Sequence, residues 1–377
     1  MKYYIIAGEA SGDLHGANLM KALGEEDPEA EFRVWGGDLM EKAGGQIVKH
    51  YRDLAFMGFT EVIMNLRTII KNISFCKEDI EKFNPDALIL LDYPGFNLRI
   101  AKWAKKQGIP VHYYISPQIW AWKESRIKAI KRDVDHMYVI LPFEKDFYEK
   151  KHNFPVHFVG HPLIDAINDR EQILPEDFRA EFDLNDQPLI ALLPGSRKQE
   201  IEKMLSVMLT VVDEFPEHQF VVAGAPSQDP AFYENIMKDS KAKLVMNRTY
   251  DLLSLSSAAL VTSGTATLET ALFKVPEVVC YKGGKISYHI AKRLINLDFI
   301  SLVNLIMEKE VVRELIQDDF NTFNLKKSLE HIMDGYQRAV LFLAYYDLEK
   351  RLGGPGASQK TAQLIASATA QQKRMHG

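Results

Sequence analysis

Short apolar runs of strand length alternate with segments of helical periodicity along most of the chain. In the first half, strands are predicted at 3–7, 32–35, 87–91, 111–115, 137–141 and 156–159, and helices at 14–23, 61–82, 97–107, 124–131 and 143–151. In the second half, strands are predicted at 189–193, 219–223, 243–246, 258–261 and 278–281, and helices at 198–214, 231–239, 250–254, 266–274 and 285–294. Strands that alternate with helices indicate parallel sheets covered on both faces, so the two series predict two doubly wound α/β domains.

The pattern is interrupted between residues 160 and 188, and it changes to helix only from about Phe320. We therefore expect an N-terminal domain at 1–165, a second domain at 166–340 and C-terminal helices at 341–377. A glycine-rich turn at 353–356 precedes the last helix. Such a terminal helix can cross back to the first domain or reach a partner subunit in a homodimer.

Composition narrows the class of protein. The chain has 377 residues, 46% of them hydrophobic and 26% charged, and its formal net charge of −5 argues against general nucleic-acid binding. Its two cysteines exclude a disulfide framework and a cysteine-based zinc site, and they fit a reducing compartment. No signal peptide or apolar run of spanning length is visible, so we expect a cytoplasmic protein whose membrane contact, if any, is peripheral.

Two turns in the second half are suited to holding phosphate. Ser263, Gly264 and Thr265 lie between a strand-length run and a helix, and the first amides of a helix have no partner within it. Glu269, one turn further on, can accept hydrogen bonds from sugar hydroxyls. The other turn contains Gly195, Ser196 and Arg197, whose guanidinium can pair with phosphate. Plain helix capping is the alternative interpretation of both turns.

Carboxylates and aromatic residues follow strands of the first half. Asp92 ends a run of four aliphatic residues, a position from which a carboxylate can act as general base, although it can also cap the next turn. The loop Gly8–Asp13 matches no common phosphate-binding motif, but its polar side chains can hold hydroxyls, or the loop is simply a tight capped turn. The loop 116–122 suggests a contact surface for sugar or acyl chains, or ordinary packing.

Two further segments have competing interpretations. Asp133 and Asp135 resemble a metal-binding Asp-x-Asp pair, but they precede an apolar run instead of ending one, so we expect no metal site there. Apolar residues at 62–73 recur at helical pitch beside Arg67 and Lys71, which indicates either a core helix or a membrane-facing one.

Six motifs occur in an order that resembles the lipid-A-disaccharide synthase family. They are Gly8–Asp13, Ser116-Pro117-x-x-Trp120-Ala121-Trp122, Leu141–Lys145, Phe158–Pro162, Leu193–Arg197 and Ser263–Glu269. The resemblance covers residues 3 to about 350. It implies a GT-B fold, in which two Rossmann-like domains face each other across a cleft. It also implies an inverting, metal-independent glycosyltransferase without cofactors.

The resemblance further implies the substrates. The donor would be UDP-2,3-diacylglucosamine and the acceptor 2,3-diacylglucosamine 1-phosphate (lipid X), which would give a β-1,6-linked disaccharide 1-phosphate and UDP. Acylated substrates favour the membrane-facing interpretation of the 57–73 segment, and thus peripheral association with the inner face of the inner membrane of a Gram-negative bacterium.

Roles for individual residues follow from the matched motifs. Asp92 would be the base. The nucleotide sugar would be held by Gly195, Ser196, Arg197, Ser263, Gly264, Thr265, Ala266, Glu269 and Asn304. The acceptor side would comprise Gly8, Glu9, Ser11, Gly12, Asp13, Ser116, Gln118 and Trp120. Membrane contact would involve Ile63, Leu66, Arg67, Ile69, Ile70 and Lys71.

The chain departs from the family pattern at two positions. Gly95 stands where a second aspartate is common, which leaves Asp92 as the carboxylate of that motif, and Val303 replaces a proline beside Asn304. Two alternatives remain at this level: an isomerase like UDP-N-acetylglucosamine 2-epimerase, and a non-catalytic nucleotide-sugar-binding protein.

Overall fold

The computed structural model describes residues 1–54, 66–283 and 298–376. The chain forms two compact units, one made of residues 1–168 with 352–377 and the other of residues 169–351. The predicted division therefore differs at the C-terminus: residues 341–351 belong to the second unit, whereas the last 26 residues belong to the first.

The first unit contains a parallel seven-stranded sheet in the order β3-β2-β1-β4-β5-β6-β7. Its strands are β1 Lys2–Ala7, β2 Glu31–Gly36, β3 Gln46–His50, β4 Ala87–Leu91, β5 Val111–Tyr114, β6 His136–Val139 and β7 His157–Phe158. Its helices are α1 Ala10–Glu26, α2 Asp38–Lys42, α3 Leu66–Phe83, α4 Pro94–Lys106, α5 Ile127–Asp133, α6 Pro142–Asp146, α7 Pro162–Asn168 and α16 Ala357–His376. Short 3-10 turns occupy Tyr51–Asp53 and Glu124–Arg126, and a π-turn occupies Phe147–Lys151.

The central strands of this sheet are apolar on both faces because helices cover both. Residues Tyr3–Ala7 and Ala87–Leu91 are almost completely buried. On one face α16 packs on α1, and Ala362 and Ile365 of α16 join the same apolar cluster as Ala17 and Leu19 of α1. The last helix is therefore part of the core of the first unit.

The second unit contains a parallel six-stranded sheet in the order β10-β9-β8-β11-β12-β13. Its strands are β8 Leu189–Leu193, β9 Gln219–Gly224, β10 Lys243–Met246, β11 Ser256–Thr262, β12 Glu277–Tyr281 and β13 Arg313–Ile316. Its helices are α8 Pro175–Glu181, α9 Lys198–Met208, α10 Pro230–Met237, α11 Thr249–Leu255, α12 Thr265–Leu272, α13 Leu302–Met307, α14 Thr322–Met333 and α15 Gly335–Arg351. Short 3-10 turns occupy Leu209–Glu214 and Gln317–Asp319.

The sequence missed two of the described strands, and both lie at the edges of the sheets. The edge strands β3 and β13 were not predicted, because their half-exposed residues mix polar and apolar side chains. The predicted helix 285–294 lies outside the described residues, as does the beginning of the predicted helix 61–82. Among the described helices, none is both long and apolar enough to cross a membrane.

Candidate active site

Asp92 lies at the point of the first sheet where the strand order reverses. It follows β4, whose neighbours are β1 and β5, so the loops after these three strands meet at one edge. Ligands of doubly wound folds bind outside the carboxyl ends of the strands at such a switch point. This edge brings together Asp92, the loop 8–13 and the loop 116–122, all of which contain predicted site residues.

The backbone at this edge is strained and tightly held. Asp92 and Tyr93 have φ values of +38° and +46°, in the left-handed region that side-chain-bearing residues rarely adopt. The carbonyl of Asp92 accepts hydrogen bonds from the Tyr113 hydroxyl and from the Asn97 side-chain amide, the latter at 2.8 Å. Strained conformations persist where the surrounding structure fixes them, and they concentrate at functional sites.

The Asp92 carboxyl has the properties of a base. Its residue is exposed, yet enough protein surrounds it that desolvation, together with a smaller contribution from the negative charge of Glu9, raises the pKa of the carboxyl to about 6. The Tyr93 amide and the Arg126 guanidinium act in the opposite direction. A base with a pKa near neutrality is ionised at working pH and still accepts a proton effectively.

In the loop 8–13, two polar side chains are exposed and two glycines are buried. Glu9 and Ser11 are exposed, and the Glu9 side chain does not cap α1. Gly8 is required for packing, since a Cβ there would lie 2.4 Å from the Tyr93 ring, and at Gly12 a Cβ would lie 3.0 Å from that of Ala7.

Asp13 corrects the sequence interpretation of that loop. It is buried, and its two carboxylate oxygens accept hydrogen bonds from the amides of Gly37, Leu39 and Met40. Because these bonds fix the start of α2, Asp13 has a structural role and does not present a carboxylate to an acceptor.

The loop 116–122 is anchored by a buried carboxyl. The Ser116 hydroxyl donates to Glu144 at 2.6 Å, and the amides of Ile140 and Leu141 donate to the same carboxyl at 3.1 and 2.9 Å. Burial raises the pKa of Glu144 to about 7. Ser116 is thus a positioning residue, which corrects its predicted place on the acceptor side.

The other predicted residues of this loop stay available. Gln118 is exposed, and Trp120 is half-buried with its ring edge-on to Phe143 at a centroid distance of 4.8 Å. Both side chains lie on the loop that Glu144 and Ser116 hold in place.

The second sheet has an equivalent edge, where its strand order reverses between β8 and β11. A cavity of about 300 Å³ opens there. It is lined by Leu193, Gly195, Ser196, Glu200, Ala223, Ala225, Pro226, Thr249, Thr262, Ser263, Gly264, Thr265, Ala266 and Glu269. The structure therefore groups seven of the nine predicted nucleotide-binding residues around one cavity.

Small residues shape this cavity. Gly195 has a φ of +101°, and a Cβ there would lie 2.3 Å from a carboxylate oxygen of Glu200. Gly264 is the N-cap residue of α12 and faces open space, so that side offers room for a ligand beside the first amides of the helix.

Polar groups in the cavity differ in their availability. The Thr262 hydroxyl is buried and lacks a hydrogen-bond partner among the described residues. Glu269 accepts a hydrogen bond from the Tyr250 hydroxyl at 3.0 Å, and desolvation raises its pKa. The Ser263 hydroxyl donates to the carbonyl of Ile300, which fixes the turn.

Two predicted nucleotide ligands do not line this cavity. Arg197 is exposed at the N-cap of α9 and pairs with no carboxylate among the described residues. Asn304 is buried: its amide nitrogen donates to Val312 and Glu314, and its oxygen accepts from the amides of Val311 and Val312. The Asn304 side chain is therefore a structural clamp, which corrects its predicted role.

A larger cavity of about 570 Å³ lies beside β13 and α14 and is lined by residues such as Arg313, Lys327 and His331. It contains none of the motif residues and lies away from the switch point of the sheet, so the smaller cavity is the candidate site.

The predicted membrane residues are described only in part. Ile63 and the side chain of Leu66 lie outside the described part of the chain. On α3, Arg67 and Lys71 are exposed, Ile69 is half-buried, and Ile70 is 56% exposed. Further along, α3 turns its apolar face to the core, where Cys76 and Ile80 are fully buried. Helix α3 thus combines a core-facing half with an exposed apolar side chain between two cations.

The described residues contain no group of three or more potential metal ligands. The pair that resembled a metal motif is engaged elsewhere: Asp133 is bound by the Arg132 guanidinium, and Asp135 accepts from Lys105 and from the amide of Val111.

Several site residues were not predicted. Tyr113 and Asn97 hold the Asp92 backbone, Glu144 holds the 116–122 loop, and Glu200 and Thr262 line the cavity. Asn97 belongs to the same motif as Asp92, and Glu144 to Leu141–Lys145, so both were visible as motif residues without an assigned role.

Comparison with known proteins decides the family. The family model described as lipid-A-disaccharide synthetase matches residues 3–366. The chain belongs to the lipid-A-disaccharide synthase family. A member from Syntrophus aciditrophicus is 41% identical over 370 residues, covering 95% of each chain, and one from Geobacter sulfurreducens is 37% identical over 369 residues, covering 96% of this chain and 95% of its own. The resemblance found in the motifs is thereby confirmed.

Solved structures support the fold of this synthase family member. A UDP-GlcNAc 2-epimerase from Neisseria meningitidis, bound to UDP-GlcNAc, matches with a TM-score of 0.67 at 13% identity, covering 98% of this chain and all of that one. The S. aureus protein MnaA, in a co-structure with UDP, matches with a TM-score of 0.69 at 15% identity, covering 95% and 94%. At these identities the likeness concerns the fold alone, and it confirms the GT-B type.

Proposed function

We propose that this member of the family transfers 2,3-diacylglucosamine from UDP-2,3-diacylglucosamine to the 6-hydroxyl of lipid X, with inversion and without a metal ion. The observation that carries the proposal is the Asp92 carboxyl. It stands at the switch point of the first sheet on a backbone fixed by Tyr113 and Asn97, with a pKa of about 6. Neither a plain cap nor a core carboxylate needs this combination of strain and exposure.

Asp92 accepts the proton of the acceptor's 6-hydroxyl as that oxygen forms a bond to the anomeric carbon of the donor. The bond from this carbon to the diphosphate breaks at the same time, and UDP leaves with the electron pair. Attack opposite the leaving group gives the β-1,6 linkage, and no covalent enzyme intermediate is needed.

The second unit supplies the site for the leaving group. The first amides of α12, at Thr265 and Ala266, have no acceptor within the helix and stabilise negative charge on the departing diphosphate. Glu269 serves as acceptor for hydroxyls of the nucleotide sugar. Arg197 has no carboxylate partner among the described residues and is free to turn towards phosphate.

The acylated substrates place the reaction at a membrane surface. We propose peripheral contact with the inner face of the inner membrane through α3, where exposed Ile70 lies between Arg67 and Lys71. An apolar side chain flanked by cations suits the headgroup boundary of anionic lipid.

The decisive assay follows UDP release from UDP-2,3-diacylglucosamine in detergent, with and without lipid X, in the presence of a chelator. We expect release that requires lipid X, persists under chelation and gives a disaccharide product. Release without lipid X, or loss of activity on chelation, would contradict the proposed reaction.

The same assay tests the two alternatives. An isomerase would convert unacylated UDP-N-acetylglucosamine without an acceptor, and a nucleotide-sugar-binding protein would release no UDP. The family comparison does not favour either, because the relatives at 36–41% identity are synthases and the epimerases resemble the chain in fold only.

A further inference from the structure

A pair of cations beside Asp92 has no role in the reaction described so far. Lys123 and Arg126 follow β5, which is hydrogen-bonded to β4 through the pairing of Tyr114 with Leu91. They therefore belong to the edge of the sheet that carries Asp92. The guanidinium of Arg126 is close enough to lower the pKa of the Asp92 carboxyl.

Both cations are arranged around one exposed aromatic ring. The ammonium of Lys123 lies 4.4 Å from the centroid of the Trp122 ring, and the guanidinium carbon of Arg126 lies 5.4 Å from it. The Trp122 residue is 52% exposed, so about half of this large aromatic side chain is open to solvent. The ring attracts both cations and keeps them together at the surface.

The two cations form no direct ion pair with a carboxylate in the described ranges, and the charge of Asp92 acts on Arg126 only from a greater distance. The neighbouring Glu124 is bound instead by Lys151 and His152. Lys123 also has a φ of +55°, in the left-handed region. Two adjacent cations that lack a direct ion pair, on a turn with a residue in the left-handed region, are features that suit an anion site.

We propose that Lys123 and Arg126 bind the phosphate monoester of the acceptor sugar, with Trp122 as a surface for the sugar ring. The inference rests on the proposed function and names the recognition element for its acceptor. The 1-phosphate and the attacking 6-hydroxyl lie on opposite sides of one pyranose ring, so the phosphate site belongs close to the base. A guanidinium fork and an ammonium point charge suit a phosphate monoester.

The experiment compares two acceptors, lipid X and 2,3-diacylglucosamine without the phosphate, using the variants Lys123→Gln, Arg126→Gln and the double variant. The matched control is Lys128→Gln, an exposed lysine on the following helix. We expect KM for lipid X to rise about 10-fold in each single variant and about 100-fold in the double variant. The rate with the unphosphorylated acceptor, KM for the donor and the Lys128→Gln control should stay within about two-fold.

Three results would overturn the proposal. Equal losses of activity with both acceptors would show that the two cations support the loop and do not bind the phosphate. A loss in Arg126→Gln that disappears at pH 8.5 and is accompanied by a raised acid-limb pKa would show that Arg126 acts through Asp92. Loss of binding to phosphatidylglycerol vesicles at unchanged lipid X affinity would identify the pair as a membrane contact.

Direct binding separates this inference from the proposed function. Lipid X in detergent micelles, without donor, is titrated into wild type and variants by calorimetry. Weaker binding in the variants, even if the wild type transferred no sugar, would support the phosphate site while the proposed reaction failed. Normal transfer with unchanged acceptor binding would leave the reaction standing and overturn the phosphate site.

Discussion

The two units place different kinds of residue at the same edge of the same kind of sheet. At the switch point of the first sheet, charged side chains stand on a strained backbone, with Asp92 and Glu9 close enough for their charges to interact. At the switch point of the second sheet, glycines and small hydroxyl residues surround a cavity lined by helix amides. The comparison agrees with our proposal that the first edge supplies the base and the second holds the diphosphate, and it indicates that the fold sets where each candidate site lies.

The largest effect is expected at the charged edge. Asp92→Asn removes the base while keeping the size of the side chain, so kcat should fall by about 1,000-fold or more. The affinity for UDP should stay unchanged because the cavity that we propose for UDP belongs to the second unit. Steady-state kinetics and UDP calorimetry on the same preparation measure kcat and the affinity for UDP. If Asp92→Asn kept a tenth of the wild-type activity, Asp92 would not be the base.

The second-largest effect is expected in the cavity beside α12 of the second unit. At Gly264 a side chain meets open space and the backbone is extended, so Gly264→Val should fold normally yet fill the room beside the α12 amides. We expect UDP to bind about 10- to 100-fold more weakly. Gly335→Val, at another open and exposed glycine of the same unit, is the control; unchanged UDP affinity at Gly264→Val would place the nucleotide elsewhere.

The third prediction concerns stability at the charged edge. Burial raises the pKa of Glu144 from 4.5 to about 7. The contribution of neutral Glu144 to the free energy of unfolding is therefore fully present below pH 4.5, and it is lost as the pH rises through 7. Wild type should therefore lose about 1–3 kcal/mol of unfolding free energy relative to Glu144→Gln between pH 5 and 8.5.

Denaturant titrations at several pH values measure this difference. The exposed Glu81→Gln serves as the control. A constant difference between Glu144→Gln and wild type across the pH range would show that Glu144 is ionised in the folded protein throughout.

The smallest expected effect tests the electrostatic interaction between the carboxylates of Glu9 and Asp92. We expect kcat/KM to rise with pH through about 6, since Asp92 must be ionised to accept a proton. Removing the Glu9 charge lowers the pKa of Asp92, so Glu9→Gln should keep roughly two- to five-fold more of its maximal kcat/KM at pH 5. An acid limb that does not move would show that the Glu9 charge is not felt at Asp92.

The sequence predicted the interior of both sheets better than their margins. Strands 87–91 and 189–193, which lie inside their sheets, match the structure at both ends, because a strand covered on both faces is a continuous apolar run. The edge strands β3 and β13 do not have this signal.

The site was predictable in position but not in the division of roles. Asp13 and Asn304 have the residue types of ligands, and only their partners reveal them as structural. The amides around Asp13 lie 24 to 27 positions away, and the link from Ser116 to Glu144 spans 28 positions. A single sequence does not show such pairings, whereas the position of Asp92 directly after a buried strand was visible as a run of four aliphatic residues followed by a carboxylate.

The position of α16 has a consequence for biosynthesis. Helix α1 is made within the first 26 residues, but the helix that covers it begins at residue 357, after the whole second unit. During synthesis, the apolar face of α1 that α16 covers therefore remains exposed until the second unit has been translated. A truncation that removes only this final helix should leave a nascent chain that binds chaperones and aggregates, although every residue of the two sheet edges has been synthesised.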